Sequence, residues 1–264
     1  MLTMKTIKLI VVFCCCLISA HLFAQNSPLA IESDLLRILQ KVNYYGAHKK
    51  EWKAIDSLQK QNKIFAFKLK YYTSKYPATI SQSFTSLIKE RLVIATSADG
   101  MFRTYSWNTQ LGVKGFDIYN VLQYKANNQT VSLLKMDTVG KKGNLPLWYS
   151  KIYTFTANNK TYYLAPYNSV YSPMKAGQGL KIFTIEKGKL IGNPPLIKTQ
   201  TGVYSQLHYD FDVSSIADWK AYPSIYFDKS TQTIHTPLVD YNHKMTHKLI
   251  TYKFTGRFFE KLKS

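Results

Sequence analysis

The chain has 264 residues, with 35 Lys and Arg against 15 Asp and Glu and a formal net charge of +20. Its three cysteines, Cys14, Cys15 and Cys16, all fall in an N-terminal leader, which excludes a disulfide framework in the rest. The basic excess attracts polyanions without choosing among acidic polysaccharide, lipid headgroups and nucleic acid.

Residues 1–24 are expected to be a secretory signal. Lys5 and Lys8 supply a short basic region, Leu9 to Ala20 an apolar run, and Ala24 a small residue before a cut at Gln25. The apolar run is about twelve residues, short of the ~20 that a membrane helix needs. Phe13 and the cysteines around it do not form a lipid-attachment pattern. Cleavage takes away the cysteines, Lys5 and Lys8, leaving 33 basic against 15 acidic residues and no transmembrane segment. The expected location is therefore the periplasm, the cell surface or the medium. A remainder of this size can bury one sizeable core or two modest ones.

Residues 25–91 read as a helical region. Ile31, Leu35, Ile38 and Val42 recur at helical spacing, and Ser27 or Ser33 can cap the start. A second stripe runs through Trp52, Ile55, Leu58, Phe65, Leu69, Tyr72 and Tyr76 to Pro77, long or broken near Asn62. It carries many lysines, so it reads either as a core helix with its charges in water or as a basic amphipathic helix on an anionic membrane. Ile80, Phe84, Leu87 and Ile88 mark a short third helix.

From residue 92 to 264 the period drops to two and turn signals recur. Asp99-Gly100, Ala126 to Gln129, Ala157 to Lys160 and Lys187 to Lys189 each separate two strand-like runs, and further runs follow from Val203 to Leu262. The fold class expected is α+β: N-terminal helices followed by a large antiparallel β-meander closed as a barrel, a sandwich or an irregular propeller-like sheet.

"SADGMFRTYSWNTQLG", Ser97 to Gly112, resembles the last strands of a WD-type propeller blade in Ser97, Asp99, Gly100, Trp107 and Gly112. It departs from that family in occurring once, in having Asn108 after the Trp, and in lacking an upstream Gly-His. The surrounding segment is similar to exported bacterial β-rich proteins of unknown function, a resemblance that implies no activity. A sialidase-type Asp box does not fit, because its Gly stands two residues after the Asp. In physical terms Asp99-Gly100 is a tight hairpin turn.

"VYSQLHYDFDV", Val203 to Val213, is the chemical candidate. On a strand, His208, Asp210 and Asp212 share one face with Tyr204 and Gln206. Same-face neighbours stand ~7 Å apart, which suits an ion or substrate between them rather than direct pairing. "DYNHKMTHK" offers Asp240, His243 and His247 as a remoter metal set, with His235 nearby, although Lys244 and Lys248 oppose a cation.

No Gly-x-Ser-x-Gly occurs. "KAGQGLK", Lys175 to Lys181, lacks the helix a phosphate loop needs and reads as a flexible connection. For glycoside hydrolysis only Asp210 and Asp212 could be named, and they point the same way. The tyrosines Tyr153, Tyr162, Tyr163, Tyr167 and Tyr171 suit half-buried strands, or sugar stacking if exposed. With only two lysines in that stretch, nucleic acid is disfavoured.

The leading expectation is an exported, non-catalytic binding protein without a cofactor, whose basic surface meets an anionic polysaccharide, a lipid headgroup or a cell-envelope protein. The alternative is a metal-dependent or acid/base hydrolase centred on His208, Asp210 and Asp212.

Overall fold

The computed structural model describes residues 27–113, 115–136, 145–216 and 224–262; the expected signal and its cysteines lie outside them. The protein is mostly β, 45% strand and 24% helix. Helix α1 spans Pro28–Ala47, α2 Ala54–Lys75 and α3 Thr85–Lys89. Ser27 starts α1 by accepting from Ala30 N at 3.2 Å, with Pro28 in the first turn where its missing N–H costs nothing.

The second helix is unbroken through Asn62 and shorter at its start than its stripe suggests. Lys53 adopts φ 61°, which ends the preceding turn, so Trp52 stands outside the helix and is exposed, as is Ile55. Leu58, Phe65 and Leu69 carry the buried face instead.

The first sheet runs β1 (Val93–Thr96), β2 (Phe102–Asn108), β3 (Ile118–Ala126) and β4 (Gln129–Met136), all antiparallel. Asp99-Gly100 makes the β1–β2 hairpin: Asp99 Oδ1 accepts from Ser97 Oγ and Met101 N, and Gly100 has φ 65°. Phe65 of α2 meets Trp107 edge-on at 5.0 Å, inside one cluster with Leu35, Leu39, Leu69, Tyr105 and Val121. The helices and the first sheet therefore share a core.

Polar groups fasten that contact. Asn62 donates to the Leu58 and Thr109 carbonyls at 3.0 and 2.9 Å, and its Oδ1 accepts the Trp107 indole N–H at 3.1 Å. Gln123 donates to Thr73 O and Thr79 Oγ1, both at 2.8 Å, and accepts from Tyr105 Oη at 2.6 Å. Arg103, 3% exposed, donates to the carbonyls of Thr79 and Ile80 at 3.0 and 2.8 Å, on the 3-10 turn that follows α2.

The second sheet holds β5 (Leu147–Tyr149), β6 (Tyr153–Ala157), β7 (Lys160–Val170), β8 (Lys175–Glu186), β9 (Lys189–Gly192) and β12 (Gln206–Asp212). The third holds β10 (Ile197–Thr199), β11 (Gly202–Tyr204), β13 (Tyr226–Asp228), β14 (Thr233–Val239), β15 (Met245–Phe254) and β16 (Phe259–Lys261), in which β10 and β16 pair in parallel. The strands thus divide among three sheets rather than one continuous meander.

The second sheet is the middle layer. On β7 and β8, Tyr162, Leu164, Leu180 and Ile182 face the third sheet, while Tyr163, Ala165, Tyr167 and Phe183 face the first. Both faces are buried, so these strands lack the polar-out alternation of a one-sided sheet. Most of the tyrosine-rich run is accordingly core rather than an exposed stacking row: Tyr162, Tyr163 and Tyr167 are buried.

Asn62→Ala is expected to leave the Trp107 N–H and the Thr109 carbonyl unpaired, lowering stability by about 3 kcal/mol in urea unfolding. A loss below about 0.5 kcal/mol would show that the helices are held by apolar contact alone.

Candidate functional site

The strand nominated for chemistry is β12, and its neighbour β8 decides what that strand can do. β12 pairs antiparallel with β8, which pairs with β7, so two rows cross the sheet: Tyr167–Gly179–His208 and Ser169–Gly177–Asp210. The "KAGQG" stretch is therefore paired strand, not the flexible connection its glycines suggest.

The glycines are required there by space. A Cβ at Gly177 would come 2.6 Å from Tyr171 Oη and 2.9 Å from His208 Cε1, and one at Gly179 would overlap the Tyr167 ring. Without side chains at those positions, the Tyr167 and His208 rings lean over β8 from either side, stacked at 12° with centroids 5.9 Å apart.

That tilt replaces the ~7 Å same-face spacing of upright side chains with direct contacts. His208 Nε2 is 2.9 Å from Asp210 Oδ1 and 3.1 Å from Tyr171 Oη, and Nδ1 is 3.1 Å from Tyr167 Oη. Nε2 thus lies between the Asp210 carboxylate and Tyr171, while Nδ1 faces the Tyr167 hydroxyl. Lys175 Nζ holds the other carboxylate oxygen of Asp210 at 3.1 Å, and Ser169 donates to Tyr171 Oη at 2.9 Å.

Burial acts to raise the Asp210 carboxyl, but Lys175 and His208 outweigh it and hold it below the usual 3.8. Burial pushes Tyr171 up to about 12 and also raises Tyr167, so both phenols keep their protons at neutral pH. Both imidazole nitrogens and both Asp210 oxygens are thus committed within the protein. The arrangement is a clasp that ties the edge strand β12 to β7 across β8.

Asp212 is not part of it. Its Oδ1 accepts from Ser214 N and Oγ, both at 2.8 Å, and caps the 3-10 turn Val213–Ser215. Asp240 accepts from the N–H groups of Asn242 and Lys244, both at 2.9 Å, to shape the β14–β15 turn, in which His243 has φ 60°. His247 lies out on β15, and His235 is stacked on Tyr226 at 4.6 Å. Among the described residues no three His, Cys, Asp or Glu side chains are grouped to hold a metal ion.

A site that strand periodicity could not reveal lies between α1 and the first sheet, in a cleft of about 380 Å³. Phe116 and Trp148 line it as a ring pair, centroids 5.7 Å apart and tilted 39°, together with Trp107. A linked polar set lines it as well. Glu90 Oε2 accepts from Asn43 Nδ2 at 2.8 Å, and Asn43 Oδ1 accepts from Gln110 Nε2 at 3.0 Å. Gly46 lets Gln110 lie against α1, since a Cβ there would strike its amide. These residues come from α1, the α3–β1 connection, the loop after β2 and β5, so only the fold brings them together.

No known protein family, curated protein or solved structure matches the chain. What the cleft can do therefore rests on its own chemistry: aromatic rings offer a π face to C–H groups, and an amide–carboxylate set offers donors and acceptors to hydroxyls.

Gly179→Ala is expected to displace the Tyr167 ring and cost about 1–3 kcal/mol in urea unfolding. Because the folded-state carboxyl of Asp210 lies below its unfolded 3.8, its contribution is present above that value and is lost as pH falls through the lower one. Asp210→Asn should flatten stability against pH in that acid window only. A slope equal to wild type's would contradict the clasp.

Proposed function

We propose that the chain is an exported, non-catalytic binding protein of the α+β class, and that the cleft between α1 and the first sheet takes a glycan unit. The observation that carries this reading is that the Phe116–Trp148 ring pair lines one cleft together with the linked Asn43, Gln110 and Glu90. A sugar ring has one face of C–H groups and a rim of hydroxyls, and the rings and the polar set complement those two chemistries. The net charge of +20 adds long-range attraction, which favours acidic polysaccharide over neutral. The cell envelope, the destination implied by the expected signal, is where such polymers are met.

The second reading, an acid/base hydrolase, rests on the 2.9 Å His208–Asp210 contact. A general base needs a nitrogen within reach of substrate or of a hydroxyl that it activates, and here the hydroxyls on the ring are the raised phenols of Tyr167 and Tyr171. The binding reading needs no chemistry from that group; the hydrolase reading would act through one of these phenols.

Titration calorimetry against acidic and neutral oligosaccharides tests this. Trp148→Ala and Asn43→Ala are each expected to weaken binding about tenfold. His208→Ala should leave affinity unchanged. Binding that survives both cleft substitutions, or turnover that disappears with His208→Ala, would overturn the proposal.

A further inference from the structure

The two ends of the molecule differ in what their connections expose. At one end lie the hairpin turns Asp99-Gly100, Asn127-Asn128, Asn158-Asn159 and Lys187-Gly188. The residues at their tips are small or polar, and none is a large exposed hydrophobic. At the other end α1 turns into α2, β2 gives way to β3, and the β7–β8 and β14–β15 hairpins close.

Each of these four connections has a large apolar or aromatic side chain in solvent: Trp52 is 88% exposed, Val113 96%, Met174 59% and Tyr241 92%. These connections adjoin one another. Lys49, Val113 and Pro173 line one shallow depression. Phe116 N donates to Val170 O at 3.0 Å, Val213 N to Met174 O at 2.9 Å, and Asp212 N to His243 O at 2.8 Å.

Basic residues flank the tips. Lys49, Lys50 and Lys53 surround Trp52 against Glu51, Lys175 follows Met174, and His243 and Lys244 follow Tyr241. The nearby acids are engaged in local structure: Asp240 with backbone N–H groups, Asp212 with Ser214, and Asp210 with Lys175 and His208.

We propose that this end docks onto an anionic lipid bilayer, with Trp52, Val113, Met174 and Tyr241 entering the headgroup layer and the lysines meeting lipid phosphates. Trp and Tyr are suited to the membrane–water boundary because their rings are apolar and their N–H and O–H reach water. Lysines add attraction to an anionic leaflet that decays over a Debye length. No helix among the described residues is long and apolar enough to cross a membrane, and surface docking by loop tips needs none. The depression shares Gln110 and Phe116 with the cleft, so the docking end borders the cleft, but the exposed tips and lysines point to docking whatever fills it.

Co-sedimentation of the purified protein with two kinds of vesicle tests it: phosphatidylcholine alone, and equal parts phosphatidylglycerol and phosphatidylcholine. Wild type should partition onto the mixed vesicles only, and less as salt rises. Trp52→Ala and Tyr241→Ala should each weaken partition about tenfold, as loss of a buried aromatic ring implies. Lys53→Glu should weaken it as well, whereas Lys187→Glu at the opposite end should not. Absence of binding to mixed vesicles would overturn the proposal. So would wild-type partition in Trp52→Ala/Tyr241→Ala, or equal losses in Lys53→Glu and Lys187→Glu, which would reduce the effect to diffuse charge.

Discussion

Hydrogen is the largest side chain that fits at positions 177 and 179 of β8, and much of the molecule is arranged around that limit. β8 pairs with β7, β9 and β12, and its two faces contribute to the cores on either side of the middle sheet. Because no Cβ intervenes, Tyr167 and His208 close over the strand and bond to each other. An edge strand whose only sheet neighbour is β8 is thereby also tied to the strand beyond it. The same closure engages the His208–Asp210 pair of β12 in hydrogen bonds within the protein.

The helical layer makes the cleft. Arg103 is buried without a carboxylate; its guanidinium is stacked near Phe84 and Tyr105 and bonded to the two carbonyls of the turn after α2. Among the described residues Nε has no hydrogen-bond partner, so the two carbonyl bonds from Nη1 and the two rings compensate the buried charge, and they hold the turn to β2. The chain leaving the turn takes α3 and then Glu90 against α1, where Asn43 receives it. The polar lining of the cleft is thus a consequence of how the helices are bolted to the sheet.

Local signals were legible where local physics decides. The Asn-Asn turns were readable from composition, and all four residues have positive φ, between 50° and 59°. The buried stripe of α1 follows its apolar spacing. Misreadings arose where tertiary packing overrides pattern. Trp52 and Ile55 continue a helical stripe in sequence, yet Lys53 in a left-handed conformation cuts the helix behind Trp52. The glycines of "KAGQG" look like a linker and are instead a floor for two rings. Asp212 shares a strand face with His208, but the strand ends under it and its carboxylate turns to Ser214. The cleft left no trace, because Asn43, Glu90, Gln110 and Trp148 have no common period.

The proposed glycan binding puts ligand in the aromatic cleft and leaves the His208 clasp alone. NMR titration with an acidic oligosaccharide reads both places at once, through the indole N–H of Trp148 and the ring C–H signals of His208. Binding in the cleft shifts the Trp148 indole progressively to saturation while the His208 signals stay in place. Movement of the His208 ring signals with an unchanged Trp148 indole would contradict it.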